Sequence, residues 1–140
     1  MILYADTSAL VKLVLAEDGS AQMRALAVEA ERTFTAVVAY TELRAAVGAA
    51  IRDRRIPVAR RDGVIARVAE LWEDAYKVAV DWPRVLQAGD LAERHALRGY
   101  DAVHLAALLR VGGPDAIDVA CWDTDLRRAA RGLGYRTYPA

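Results

Sequence analysis

Several features that mark other classes of protein are missing from this sequence. Cys121 is the single cysteine, so the chain has neither an intramolecular disulfide nor a thiolate cage for a metal. No apolar run reaches the length of about 18 residues that a membrane span needs. Because Asp6 and Lys12 interrupt the apolar N-terminus, we expect no secretory signal, no contact with membrane, and a cytoplasmic protein.

The sequence also lacks an excess of charge of either sign. Nineteen Lys and Arg residues balance nineteen Asp and Glu residues. The chain therefore has no general affinity for polyanions, and any contact with nucleic acid must come from a local patch. With 140 residues, of which 55% are hydrophobic, the chain has the composition of one globular domain, to which we assign residues 1–140.

What the sequence does contain is an alternation of strand and helix patterns. Residues 1–5 form an uncharged apolar run typical of a strand buried on both faces, and Leu10, Leu13 and Val14 then follow at helical spacing. The alternation predicts an α/β fold, with a mostly parallel sheet of four or five strands and helices on both faces. The predicted strands are 1–5, 33–38, 77–80, 117–122 and 135–138, and the predicted helices are 10–15, 20–31, 40–54, 62–75, 82–97, 101–111 and 123–131.

Four acids fall at predicted junctions between strands and helices. Asp6 follows the first strand, Glu42 lies in the first turn of the helix after the second, Asp101 opens a helix, and Asp123 follows the fourth strand. Open α/β sheets bind ligands at the carboxyl ends of their strands, so we expect these carboxylates to share one crevice. Any one of these acids taken alone is better explained as an ordinary helix cap.

The chemistry of such a cluster is that of a metal site. Carboxylates so close together cannot all stay ionised without a cation, and an oxygen-only ligand set suits Mg²⁺, with Mn²⁺ as the other candidate. Such a metal lowers the pKa of a bound water and neutralises charge that develops on a phosphodiester. The pattern therefore favours hydrolysis of a nucleic-acid backbone.

Residues near these acids have two interpretations each. Ser8 either contacts a metal-bound water or, like Thr7, caps the helix that follows Asp6. His104 is either a general acid or a packed histidine beside the site, and the metal chemistry does not require the first. Asp125 is an alternative to the acid two residues before it, from which it lies about 200° around a helix.

Four short motifs resemble those of PIN-domain nucleases of the VapC toxin type. They are residues 6–13 with Glu17 after them, residues 41–43, residues 100–106, and residues 122–126 followed by Ala129, Ala130 and Gly134. They stand in the family's order and span nearly the whole chain, from Asp6 to Gly134.

This resemblance implies a PIN-like domain that is a Mg²⁺-dependent endoribonuclease and the toxin of a toxin–antitoxin pair. The four acids carried over as catalytic and metal-binding residues are Asp6, Glu42, Asp101 and Asp123. The implied partners are an RNA substrate, a cognate antitoxin protein and a second copy of the chain in a homodimer. One departure is Cys121, which stands where the family often has Ser or Thr, and a thiol forms only weak hydrogen bonds.

Other functions remain as alternatives. A catalytically inactive PIN-like interaction module has no sequence feature against it except the presence of all four acids. A metal-dependent phosphatase with an aspartyl nucleophile would usually have a second Asp where this chain has Ser8. A dinucleotide-binding oxidoreductase would need a glycine-rich turn after the first strand, and this chain has none there.

Two other groups of residues have a structural interpretation beside a functional one. The arginines between Arg52 and Arg61 form either a solvated corner between helices or a contact for phosphate or a partner. Trp72, Trp82 and Trp122 are most simply core or interface residues, because no sequence feature indicates a stacking platform.

Overall fold

A five-stranded parallel sheet organises the computed structural model, which describes residues 1–140. The strand order is β3-β2-β1-β4-β5, and every neighbouring pair is parallel. The strands are β1 Ile2–Ala5, β2 Arg32–Ala36, β3 Tyr76–Val78, β4 Asp118–Ala120 and β5 Thr137–Tyr138. The helices are α1 Thr7–Val14, α2 Ser20–Glu29, α3 Val38–Arg52, α4 Arg61–Asp74, α5 Trp82–His95, α6 Gly99–Val111 and α7 Thr124–Gly132, with a 3₁₀ turn at Val58–Arg60.

The central strand β1 is buried on both faces, as its uncharged sequence predicts. Leu3 and Ala5 point into a core built with α1 to α4, while Tyr4 points into a second core built with α5 to α7. None of these three residues is more than 1% exposed. The predicted arrangement of a parallel sheet with helices on both faces is therefore confirmed. None of the helices combines the length and apolar character required to cross a bilayer.

The connections between strands leave a crevice beside the carboxyl end of β1. The chain passes from β1 outward to β2 and β3 on one side, and β4 and β5 extend the sheet on the other side. The strand order thus reverses next to β1, and such a reversal is where open α/β sheets bind ligands. Asp6 directly follows β1 at this point, and the loop after β4 leads to Asp123.

Several predicted boundaries were wrong by a few residues. The apolar residues after β2 and around β4 suggested longer strands, but Val37 already has helical backbone angles and α3 begins at Val38. Glu42 is consequently the fifth residue of α3 and lies in its second turn, not its first. α1 begins at Thr7, and its N-cap is Asp6, whose carboxylate accepts the backbone N–H of Ala9 at 3.0 Å. Neither Thr7 nor Ser8 caps α1.

The start of α6 also differs from the prediction. α5 ends at His95, two residues early, because Ala96 adopts a left-handed conformation with φ of 53°. Arg98 is extended and precedes α6, which begins at Gly99. Asp101 therefore lies inside the first turn and does not open the helix. Its carboxylate is free of the capping role that the sequence suggested.

Candidate active site

The four acids predicted to converge line one crevice at the carboxyl edge of the sheet. The crevice has a volume of about 410 Å³. Its polar lining consists of Asp6, Glu42, Asp101 and Asp123 together with Thr7, Ser8, Arg98 and His104. Acids from four separate parts of the sequence thus share one pocket, at the sheet edge where the ends of parallel strands bind ligands.

Asp6 is the most deeply buried acid of the crevice, with 3% of the residue exposed. The hydroxyl of Ser8 donates to both carboxylate oxygens at 2.7 and 2.9 Å, and the thiol of Cys121 donates to Oδ2 at 3.3 Å. Burial nevertheless raises the pKa of Asp6 above its usual value, although these donors and the charge of His104 oppose the rise. The site therefore disfavours the charge of Asp6 unless a cation is close.

Ser8 connects Asp6 to the loop that carries Asp123. Its Oγ accepts the backbone N–H groups of Trp122 at 2.7 Å and Asp123 at 3.1 Å while it donates to Asp6. A single hydroxyl thus holds the first acid and the backbone of the last acid in one arrangement. This role is neither of the two that the sequence suggested for Ser8.

Glu42 is held by two side chains that donate to the same oxygen. Thr7 Oγ1 lies 2.7 Å and His104 Nε2 lies 2.8 Å from Glu42 Oε1. Because a carboxylate only accepts, His104 donates from Nε2 to Glu42, and its Nδ1 forms a second hydrogen bond with the hydroxyl of Tyr4 at 2.9 Å. Burial alone would raise the pKa of Glu42, but the hydrogen bonds from His104 and Thr7 lower it below its usual value.

His104 is 2% exposed and Tyr4 is 1% exposed, so this hydrogen-bond chain runs from the core to the crevice. The interpretation of His104 as a packed histidine beside the site agrees with its position. Glu42 Oε2 takes no part in the hydrogen bonds to Thr7 and His104, so it remains available to a ligand in the crevice.

Asp101 and Asp123 are joined by a side chain that the sequence analysis overlooked. Arg98 Nε donates to Asp101 Oδ2 at 3.1 Å, and Arg98 Nη2 donates to Asp123 Oδ2 at 3.0 Å. Burial raises the pKa of Asp101, the hydrogen bond from Arg98 opposes that rise, and the charge of Asp123 adds to it. The guanidinium therefore supplies positive charge between the carboxylates of Asp101 and Asp123.

Asp123 also has a structural role, because its Oδ1 accepts the backbone N–H groups of Asp125 and Leu126 and caps α7. Asp125, the alternative acid, forms an ion pair with Arg128 at 2.8 Å and is not part of the crevice lining. Asp123, which lines the crevice, is therefore a better candidate for a metal ligand than Asp125.

The loop after β4 also contacts residues of the first motif, which comprises residues 6–13 and Glu17. The ammonium of Lys12 lies 2.8 Å from Glu17 Oε1 and 5.1 Å from the centre of the Trp122 ring. Gly19 packs so close to Trp122 that a Cβ there would lie 2.6 Å from the indole nitrogen. Lys12 and Glu17 therefore position the residue that precedes Asp123.

The donor set of the crevice fits a hard divalent cation in its chemistry. All four acids offer oxygen only, and the pKa values of Asp6 and Asp101 are raised by burial, so a cation would relieve an unfavourable accumulation of charge. No three acidic, histidine or cysteine side chains are already arranged around one metal position. Instead each carboxylate is held by donors of the protein, and the hydrogen bonds to Arg98 would have to open for Asp101 and Asp123 to turn inward.

The residues that the sequence analysis missed share one property, which is that their partners are distant in sequence. Tyr4 and His104 are 100 residues apart, Thr7 and Glu42 are 35 apart, and Arg98 and Asp123 are 25 apart. The only available signal was the position of Arg98 three residues before Asp101, a spacing that suits an ion pair across the first turn of a helix.

Comparison with known proteins agrees with this arrangement. Residues 3–132 match the PIN domain family. The chain is 38% identical to Ribonuclease VapC45 and to Ribonuclease VapC49, from two strains of Mycobacterium tuberculosis, over 99% of this chain and 96% of each relative. The crystal structure of FitAcB from Neisseria gonorrhoeae superposes with a TM-score of 0.66 over 99% of this chain and 96% of that one, at 16% identity, which indicates a shared fold. From its four motifs, its sheet order and this match, the chain belongs to the PIN-domain family and is of the VapC type.

Proposed function

We propose that this protein is a Mg²⁺-dependent endoribonuclease. The observation that carries the proposal is the convergence of Asp6, Glu42, Asp101 and Asp123 in one crevice beside the reversal of strand order. The names of the two mycobacterial relatives, both ribonucleases aligned over nearly their full length, support the same activity. An endonuclease that cuts RNA needs no cofactor other than the metal that this acidic set would hold.

Under this proposal the four acids hold Mg²⁺, or Mn²⁺ in its place. A divalent cation held by these acids would supply positive charge that lowers the pKa of a nearby water and offsets negative charge on the phosphodiester. Thr7 and His104 orient Glu42. Ser8 fixes the position of Asp6 relative to the loop after β4 through its hydrogen bonds to both. Arg98, which is 78% exposed in its side chain, can leave its carboxylates and contact a phosphate of the substrate.

We further propose that the protein acts as the toxin of a toxin–antitoxin pair in the cytoplasm and functions as a homodimer. The VapC-type relationship supports this assignment. The cognate antitoxin would block the crevice, and an arginine inserted against the carboxylates is the simplest means because guanidinium pairs with carboxylate in a bidentate manner. Expression of the chain without that antitoxin should arrest growth, whereas normal growth with soluble, nuclease-competent protein would rule out the toxin role.

The activity is tested with purified protein and a single-stranded RNA. Cleavage should require Mg²⁺ or Mn²⁺, stop with EDTA, and return when excess metal is added. The matched variant Asp6→Asn should be folded and inactive, which excludes a contaminating nuclease. Activity that persists undiminished in excess chelator would rule out the metal mechanism.

The alternative of an inactive interaction module is favoured by one observation, which is that Arg98 already forms a hydrogen bond with each of two of the acids. The same assay separates the two functions, because an inactive module would not cleave RNA at any metal concentration. A phosphatase with Asp6 as nucleophile is disfavoured, because both carboxylate oxygens of Asp6 accept hydrogen bonds from Ser8.

A further inference from the structure

Two aromatic rings and two cations form a cluster on the outer flank of α3, where it meets α4 and the edge strand β3. The rings of Tyr40 and Trp72 pack with their centres 5.3 Å apart. The guanidinium of Arg44 lies 5.8 Å from the centre of the Tyr40 ring, and the ammonium of Lys77 lies 5.8 Å from that of Trp72. We call these four residues the aromatic–cation platform.

Neither cation of the platform is neutralised by an acid. Arg44 Nη1 donates to the hydroxyl of Tyr40 at 3.0 Å, and Lys77 donates to the backbone carbonyl of Glu73 at 3.4 Å. Neither side chain forms an ion pair, although the exposed carboxylate of Glu73 lies close in sequence. Tyr40 is 37% exposed. The platform thus presents an accessible ring beside two positive charges that have no acidic partner within the chain.

The platform lies across α3 from the acidic crevice. Glu42 stands between Tyr40 and Arg44 in sequence but about 200° from each around the helix, so it faces the opposite flank. Thr41 and Ala45 occupy the exposed crest between the two flanks, and both are small. The width of an α-helix with its side chains is about 10–12 Å, a span that a few nucleotides of a single strand can cover.

We propose that the aromatic–cation platform binds one nucleotide of the RNA strand whose scissile phosphate lies in the crevice. The base stacks on the exposed ring of Tyr40, and the adjoining phosphate contacts Arg44 and Lys77. Aromatic rings interleaved with cations are the means by which proteins bind single-stranded nucleic acid without dependence on base identity. The strand crosses α3 over Thr41 and Ala45, where small side chains leave room for its backbone. This inference rests on the proposed ribonuclease function and extends it to the binding of substrate.

The first test measures binding without cleavage. Fluorescence anisotropy of a labelled single-stranded RNA, in EDTA, gives the Kd of the parent and of Tyr40→Ala. Removal of one stacking ring should weaken binding by about 5- to 100-fold. Tyr40→Phe keeps the ring and should bind nearly as the parent does, and Arg44→Gln should weaken binding and reduce its dependence on salt. Trp82→Ala, which removes an exposed aromatic side chain that is not part of the platform, at the first position of α5, is the matched control and should bind as the parent does.

The second test separates a substrate contact from a structural role. For an RNA long enough to cross α3, Tyr40→Ala should raise KM and leave kcat nearly unchanged. For a substrate too short to reach the platform, the variant and the parent should have equal kcat/KM. Thermal melts of each variant establish that it is folded.

Equal RNA binding by folded Tyr40→Ala and parent would overturn the inference. Normal RNA binding together with lost binding of a protein partner would also overturn it and would assign the platform to that partner. If the parent cleaved no RNA but Tyr40→Ala still weakened RNA binding, the proposed nuclease function would fail while the platform would stand.

Discussion

The guanidinium of Arg98 lies 3.0 Å from the carboxylate of Asp123, and this ion pair joins the residues that immediately precede α6 and α7. A second contact from Arg98, to Asp101 at 3.1 Å, makes the arginine a bridge between two acids of the crevice. An ion pair this exposed to water is weak. The bridge can therefore give way to a more highly charged cation.

Arg98 should compete with a divalent metal for the carboxylates of Asp101 and Asp123. Arg98→Gln removes that competition and should raise the apparent affinity for Mn²⁺ by a small factor, roughly two- to five-fold, because exposed ion pairs are weak. Calorimetric titration of Mn²⁺ in the absence of RNA measures the change. Arg94→Gln, at an exposed position of α5, is the control. A lower Mn²⁺ affinity in Arg98→Gln would contradict competition and would indicate that the arginine supports the metal site.

Asp101→Asn tests whether this acid holds a metal. Since burial raises the pKa of Asp101, the folded protein disfavours its charge, and the neutral variant should be as stable as the parent or more stable without metal. With Mg²⁺ at 100 times its Kd, the parent should gain about 2.7 kcal/mol of unfolding free energy, and the variant should gain less. Cleavage should fall by orders of magnitude.

Thermal melts with and without Mg²⁺, beside an RNA-cleavage assay, measure both effects of Asp101→Asn. Asp90→Asn, an exposed position on α5, controls for loss of one surface charge. Full activity of Asp101→Asn, or equal stabilisation of variant and parent by Mg²⁺, would show that Asp101 is not a ligand.

His104 should act by holding Glu42 in the orientation that a metal requires. His104→Ala removes the donor to Glu42 Oε1 and should lower metal affinity and activity by about 10- to 100-fold, the usual effect of losing a residue that orients a ligand. His104→Gln offers an amide N–H in place of Nε2 and should recover part of both. Tyr4→Phe removes only the hydroxyl that forms a hydrogen bond with His104 Nδ1 and should have a smaller effect.

The measurements are a Mn²⁺ titration and kcat at saturating metal for each of these variants, with far-UV circular dichroism as a test of folding. If His104→Ala bound metal with unchanged affinity while folded, the histidine would be a packing residue and nothing more.

Ser8→Ala should destabilise the protein, because the backbone N–H groups of Trp122 and Asp123 would lose their acceptor. A fully buried donor left without a partner costs about 1–3 kcal/mol, and because these two donors are partly buried the loss for each should lie at the low end of that range. Urea unfolding at neutral pH measures the loss of unfolding free energy. Ser8→Thr retains the hydroxyl and should recover most of it. Unchanged stability in Ser8→Ala would show that another group, such as water, satisfies these donors.

The positions of the two acids that follow strands, Asp6 and Asp123, could be predicted from their neighbours in the sequence. Asp6 and Asp123 each follow a short apolar run and precede a helical pattern, so their neighbours alone place them at the carboxyl edge of the sheet. The same reasoning misplaced Asp101 as the opening residue of α6, because it could not foresee the left-handed turn at Ala96. It also placed Trp72 in a core or interface, and the structure packs this partly buried side chain against the core built with α1 to α4, next to Tyr40 and Lys77.

The parallel α/β architecture and the four candidate acids could be predicted from local patterns, because hydrophobic period and residue type act over a few neighbouring positions. The contacts of each carboxylate depend on the tertiary structure. Arg98 reaches Asp123 across 25 residues, and His104 reaches Glu42 across 62. Such contacts depend on how strands are ordered in the sheet and how helices rest on it, and those are properties of the whole chain that no short segment carries.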